Sequence, residues 1–228
     1  MHTFIEDKSF RNKLYVFKDR SEAGKLLSQR LGGYKDTDAI VLGIPSGGVP
    51  VAAKIAKALA LPLDVLIVRK VQIPYNTEAG FGSVSPDNNV LLNESLLNTL
   101  NLSAEEVNQQ IQRTREIIKK RNDLFRKGLP FPTVKNKVAI IVDDGLASGY
   151  TMLSAIAFIK RLEPQKIVVA VPTGLKKTVD LVLSQADELV CLNVRSGFIF
   201  AVADAYENWY DLEDDEVISL LQNFKEST

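Results

Sequence analysis

The amino-acid sequence predicts an α/β fold, a mostly parallel twisted sheet with helices on both faces. Three observations carry that expectation. Five short, mostly apolar runs (39–44, 63–68, 138–142, 166–171 and 188–193) read as strands buried on both faces, each bounded by turn-forming residues. Amphipathic stretches of helical spacing alternate with them, the pattern of βαβ units. Two of the runs end in small-residue turns that lead straight into a helix, which puts ligand loops at the carboxyl edge of an open sheet.

Taken in order, residues 1–18 are mixed, with Phe10, Leu14, Val16 and Phe17 as anchors in a terminus otherwise expected to be mobile. His2, the only histidine, lies there. From Asp19 the spacing of Ala23, Leu26, Leu27 and Leu31 predicts a helix capped by Asp19 or Ser21 and stopped at Gly32-Gly33. The run 39–44 enters Pro45-Ser-Gly-Gly-Val-Pro50, and a helix is predicted over 51–60. Gly47 and Gly48 permit positive φ and close backbone approach, so this turn suits an anion. The run 63–68 carries Arg69 and Lys70 at its carboxyl end, two cations placed to neutralise a leaving anion. Residues 71–89 are rich in turn formers and too long for an idle connection, which predicts a lid loop. Val90–Leu92 reads as a short strand closing a lid hairpin. Ser103 with Glu106 forms a capping box. It opens a long helix with Val107, Ile111, Ile118 and Phe125 on one face and Arg113, Arg115, Lys119, Lys120, Arg121, Arg126 and Lys127 on the other. That basic face reads as solvated, with a second reading as a contributor to an anion site. Helices follow over 151–161 and 176–185, and the last helix carries Val217, Leu220, Leu221 and Phe224 behind an Asp214 cap. Cys191 reads as core, because no histidine is at hand to activate it.

The stretch with the most chemistry is Val138–Thr151. An apolar strand stops at two adjacent carboxylates, Asp143 and Asp144, and a small-residue turn then enters a helix. The turn and the helix start suit a phosphate. The carboxylates repel phosphate but accept hydroxyl groups or attract a cation. A ligand with phosphate, vicinal hydroxyls and a metal is a sugar phosphate.

Bulk properties narrow the class. The 228 residues suffice for one large domain over 1–228, with a core over about 15–195 and a tail over about 195–228. Lys+Arg of 28 against Asp+Glu of 28 gives no basic bias, so neither nucleic acid nor membrane is expected as a partner. A single cysteine and the lack of a signal-peptide pattern fit a cytoplasmic protein. No G-x-x-x-x-G-K-[ST] is present, which argues against a P-loop nucleoside triphosphatase.

At residues 138–151 the chain resembles the signature loop of the type I phosphoribosyltransferases, which bind phosphoribosyl pyrophosphate (PRPP). The resemblance runs over roughly residues 15–210 and is nearest to an uncharacterised branch of that family. It implies that Asp143 and Asp144 hold the ribose hydroxyls, and that Gly145, Ala147, Ser148, Gly149, Tyr150 and Thr151 wrap the 5′-phosphate. Ser46, Gly47 and Gly48 become the pyrophosphate loop, with Arg69 and Lys70 beside the leaving group. The segment 71–89 becomes a flexible lid, and 195–210 part of a small hood built from the terminal segments, in which Phe198 and Phe200 are candidates to stack on a base. The resemblance further implies Mg2+ held mainly by PRPP with no direct protein ligand, a small-molecule acceptor with a nitrogen nucleophile, and a place in nucleotide metabolism; it leaves a homo-oligomer open. Two positions depart from the pattern: Ser46 stands where relatives usually carry arginine, and Ala147 where several purine-specific members carry aspartate. These departures admit a second reading, a PRPP- or nucleotide-sensing regulatory protein that uses the same pocket without turnover.

Overall fold

The structure, a computed structural model, describes residues 2–197 and 199–226, apart from the side chains of 76–78. In chain order the first elements are β1 (Thr3–Ile5), α1 (Arg20–Arg30), β2 (Ala39–Gly43), α2 (Gly48–Leu59) and β3 (Leu63–Val65). Then come β4 (Arg69–Ile73), β5 (Asn76–Val84), β6 (Val90–Leu92), α3 (Glu94–Leu100) and α4 (Ala104–Arg126). The rest are β7 (Val138–Val142), α5 (Tyr150–Arg161), β8 (Lys166–Leu175), α6 (Lys176–Leu183), β9 (Glu188–Arg195) and α7 (Asp214–Glu226).

Six strands form one parallel sheet in the order β1-β9-β8-β7-β2-β3. The apolar runs become its centre because both of their faces are covered. Along β2, Ile40 and Leu42 face α5 and α6, while Ala39 and Val41 face α1 and α2. Each such aliphatic side chain of valine size or larger contributes about 1.5–3 kcal/mol on full burial. From β2 the chain moves outward to β3, and from β7 it moves the other way to β8 and β9. Strand order therefore reverses between β2 and β7, which pair in register from Ala39↔Val138 to Gly43↔Val142. The helices that follow these two strands lie on opposite faces, so their loops splay apart and leave a crevice at the carboxyl edge. Local signals set the helix starts: the Asp19 carboxylate accepts the Glu22 N–H at 2.9 Å, and the Ser103–Glu106 capping box is formed.

Several expectations are corrected. Residues 71–89 are not a loop. β4, β5 and β6 form a three-stranded antiparallel sheet whose Val71, Phe81 and Val84 are fully buried against α4. Glycines and two register shifts near Gln72 break the period-2 signal that would have marked these strands. The run 63–68 pairs only as far as Val65, so Arg69 and Lys70 do not end a strand of the main sheet; they open β4. The helix predicted over 51–60 starts at Gly48. β1 places the amino terminus on the edge of the main sheet beside β9, and His2 Nδ1 lies 2.6 Å from the Ala186 carbonyl oxygen. A three-residue strand of mixed composition is too short for periodicity to reveal. α3, capped by Asn93, had no expectation. Asp214 is the first residue of α7 and its carboxylate is turned to Arg121, while Glu216 accepts the Glu213 N–H. The terminal segments do meet: residues 15–17 hydrogen-bond to 204–207, with Phe17 packed on Tyr206.

Candidate functional site

Asp143 and Asp144 follow β7 at the point where the sheet reverses. Asp143 Oδ1 accepts the Asp144 N–H at 2.9 Å, which turns the two carboxylates in different directions. Asp144 Oδ2 meets Arg20 Nε at 2.9 Å. Arg20 is almost fully buried; its guanidinium lies 3.9 Å from the centre of the Trp209 ring and donates to the Tyr210 carbonyl. The Tyr206 hydroxyl donates to the Asp144 carbonyl at 2.7 Å. Burial raises both carboxyl pKa values above the ordinary range, most for Asp143, where the Asp144 charge adds to the effect. For Asp144 the Arg20 charge opposes the rise.

Two cavities open from this pair. One, of about 410 Å3, is lined by Gly145–Thr151 together with Lys70, Gly80, Gly82 and Asp143. α5 begins at its wall with Gly149 as the N-cap at φ 85°, and no side chain caps the helix, so the N–H groups of the first turn are left for a ligand or water. The Thr178 hydroxyl donates to the Ala147 carbonyl and fixes the turn from below. β5 closes the other side, where Ser83 Oγ bonds the Tyr150 carbonyl and lies 2.7 Å from Ser154 Oγ.

The second cavity, of about 530 Å3, is lined by the loop after β2 (Pro45, Ser46, Gly47), by the acidic pair, and by Arg20, Arg69, Lys70 and Arg121. Burial, with Arg121 next to it, pulls Arg69 below the ordinary guanidinium value. Lys70, Asp143 and Thr151 line both cavities. Glycine at 47 is required by close approach rather than by positive φ: its φ is −62°, but a Cβ there would sit 1.9 Å from Asp144 Oδ2.

The predicted site residues that the structure describes therefore converge, apart from Phe200. Ser46, Gly47, Arg69, Lys70, Asp143, Asp144 and the 145–151 turn surround one continuous crevice, and Gly48 packs behind it against the Val142 carbonyl. Phe200 lines neither cavity, and its ring lies 5.2 Å from the Arg195 guanidinium. Phe198 falls outside the described residues. Arg20, Trp209 and Asp211 line the second cavity without having been foreseen, since nothing in their local sequence sets them apart. Among the described residues no group of three or more His, Cys, Asp or Glu could cage a metal. Two adjacent carboxylates, one lacking the direct ion pair that Arg20 gives the other, do fit a magnesium ion that keeps most of its positions on substrate oxygens and water.

The phosphoribosyl transferase domain family matches residues 19–207. Two proteins of Mycobacterium tuberculosis, provisionally named as phosphoribosyl transferases, are each 37% identical over 206 residues, which is 90% of this chain and 46% of theirs. The chain thus spans about half the length of these curated relatives. A crystal structure of a protein from Thermus thermophilus matches with a TM-score of 0.73 at 32% identity, covering 91% of this chain and 98% of that one. The chain belongs to the phosphoribosyl transferase domain family.

Proposed function

We propose that the protein transfers the 5-phosphoribosyl group of Mg-PRPP to a nitrogen nucleophile of nucleobase type, releasing pyrophosphate. The observation that carries this reading is the position of the acidic pair between an uncapped-helix cavity on one side and a cation-lined cavity on the other. A molecule with a phosphate at one end, a diphosphate at the other and a diol between them matches that order of charges.

In this reading the Ala147–Thr151 turn and the α5 amino terminus take the 5′-phosphate, and Asp143 and Asp144 accept the ribose hydroxyls. Ser46 and Gly47, with Arg69 and Lys70, take the diphosphate. The bond from the anomeric carbon to the diphosphate oxygen breaks, its electron pair leaves with pyrophosphate, and a C–N bond forms from the opposite face. The nucleophile's proton is passed to solvent, since no acidic side chain stands in the 145–151 turn. Magnesium would neutralise charge on the diphosphate when bound. The protein's own contribution is positioning and charge stabilisation as the ribosyl carbon becomes oxocarbenium-like.

Pyrophosphate release from PRPP, measured across a panel of nucleobases and simple amines, tests the reading. Turnover with at least one acceptor is expected. Asp143→Asn is expected to lower it by about tenfold or more, because a charged partner to a ribose hydroxyl is lost. Undiminished turnover in that variant would remove Asp143 from the site.

A further inference from the structure

We propose that Arg121, presented from the middle of α4, binds the diphosphate directly, and that Asp214 at the start of α7 is the anion it leaves when the ligand arrives. The inference rests on the reading of the cation-lined cavity as the diphosphate side.

α4 carries six basic residues on its polar side, with Lys127 as its C-cap, yet only Arg121 among the seven lines that cavity. Arg113, Arg115 and Lys119 line other surfaces, and Arg126 is buried in a structural ion pair. Arg121 Nη2 stands 3.4 Å from Ser46 Oγ, in the loop that follows β2. It is also 2.7 Å from Asp214 Oδ1. That contact is one of charge only, because the buried Oδ1 receives no aligned hydrogen bond. Asp214 thus neutralises Arg121 without satisfying its fork of donors.

The local charge supports a role beyond tethering α7. Arg121 is close enough to Arg69 to disfavour that residue's charge, while Asp214 favours it. Clustered like charges at the mouth of a polar cavity are unfavourable in the free protein and become favourable when a multiply charged anion enters. A guanidinium offers paired N–H groups that match two phosphate oxygens, which a single carboxylate oxygen at this geometry does not. A diphosphate is therefore the better partner, and Asp214 serves as its competitor in the empty site. The long helix and the carboxyl-terminal helix are both drawn into ligand binding through this one pair.

The test is calorimetric titration of Mg-pyrophosphate and, separately, of ribose 5-phosphate into the wild-type chain, Arg121→Gln and Asp214→Asn. Arg121→Gln is expected to weaken pyrophosphate binding by about tenfold or more, the range for a hydrogen bond to a charged group, while leaving ribose 5-phosphate within about twofold. Asp214→Asn breaks the same ion pair but keeps the cation, so it is expected to tighten pyrophosphate by a few-fold. A purely structural tether would instead move both variants in the same direction. The proposal is overturned if Arg121→Gln binds pyrophosphate like the wild type, if it loses both ligands equally, or if Asp214→Asn weakens pyrophosphate. If the wild-type chain binds neither ligand, the functional reading itself falls and this inference falls with it. Wild-type binding of both ligands with an indifferent Arg121→Gln sinks the inference alone.

Discussion

At the scale of single residues, Asp143 and Asp144 show a site held at some expense to stability. Arg20 pairs with Asp144, whereas Asp143 Oδ1 receives a backbone N–H and its charge faces that of its neighbour. Because burial and that neighbour raise the Asp143 pKa, the folded chain holds this proton more tightly than the unfolded one. Stability from this group is therefore full below the unfolded-chain value of about 3.9 and declines as pH climbs through the raised folded value. Asp143→Asn keeps an oxygen for the Asp144 N–H and removes the charge. Its thermal midpoint at pH 7 is expected to exceed that of the wild type by a few degrees, even as turnover falls. Scanning calorimetry between pH 4 and 7 checks this, and a gap that does not shrink toward pH 4 would contradict it. The acidic pair and the 145–151 turn were legible because their chemistry sits on consecutive residues. Arg20 was not: it reaches Asp144 across 124 positions, and only the tertiary fold brings it there.

Among the elements, legibility followed how local the signal is. The start of α4 rests on the Ser103–Glu106 box and could be read directly. β4 and β5 could not, since their irregular register and glycines hide the alternation while tertiary burial of Val71, Phe81 and Val84 secures them. The six basic residues of α4 and its C-cap Lys127 read chiefly as one solvated face, with an anion site as the second reading, yet the structure puts two of them in distinct surroundings. Arg121 lines the crevice. Arg126, only 4% exposed as a side chain, pairs with Asp64 at 2.5 Å, donates to the Leu129 and Pro130 carbonyls, and lies 5.2 Å from the Phe131 ring centre. It ties the end of α4 to the β3 edge of the sheet. Arg126→Met leaves the half-buried Asp64 without its cation, which is expected to cost about 2–3 kcal/mol, less than a fully buried pair. That corresponds to a midpoint lower by roughly 5–10 °C for a chain of this size. Pyrophosphate affinity is expected to stay unchanged, because Arg126 lines neither cavity of the crevice. A drop in affinity equal to that of Arg121→Gln would mean that α4 acts as a unit and that its residues have no separate roles.

For the whole molecule, the decisive feature is strand order, which no local pattern reports. Alternation of strands and helices implied a parallel sheet, but many orders share that alternation. The order found puts β2 and β7 side by side at the reversal, so the Ser46 loop and the Asp143–Thr151 loop meet although about a hundred residues of sequence separate them. The third wall comes from β4, β5 and α4, a layer added beyond the β3 edge and packed on α7. A ligand that spans the crevice therefore contacts both the sheet and this added layer, and it should stabilise them as one cooperative unit. PRPP with Mg2+ at 100 times its dissociation constant adds about 2.7 kcal/mol, expected as one transition raised by roughly 5–10 °C. Mg2+ alone is expected to give no comparable rise, because among the described residues no group of three or more carboxylates comes together to cage it and the ligand must provide the other oxygens. PRPP with a chelator is expected to give a smaller rise, since the diphosphate then keeps its full charge against the cations alone. Asp143→Asn/Asp144→Asn should abolish the PRPP-dependent part. A biphasic melt in which only one transition responds to PRPP would mean that the ligand stays on the sheet side, and that Arg69, Lys70 and Arg121 do not close on it.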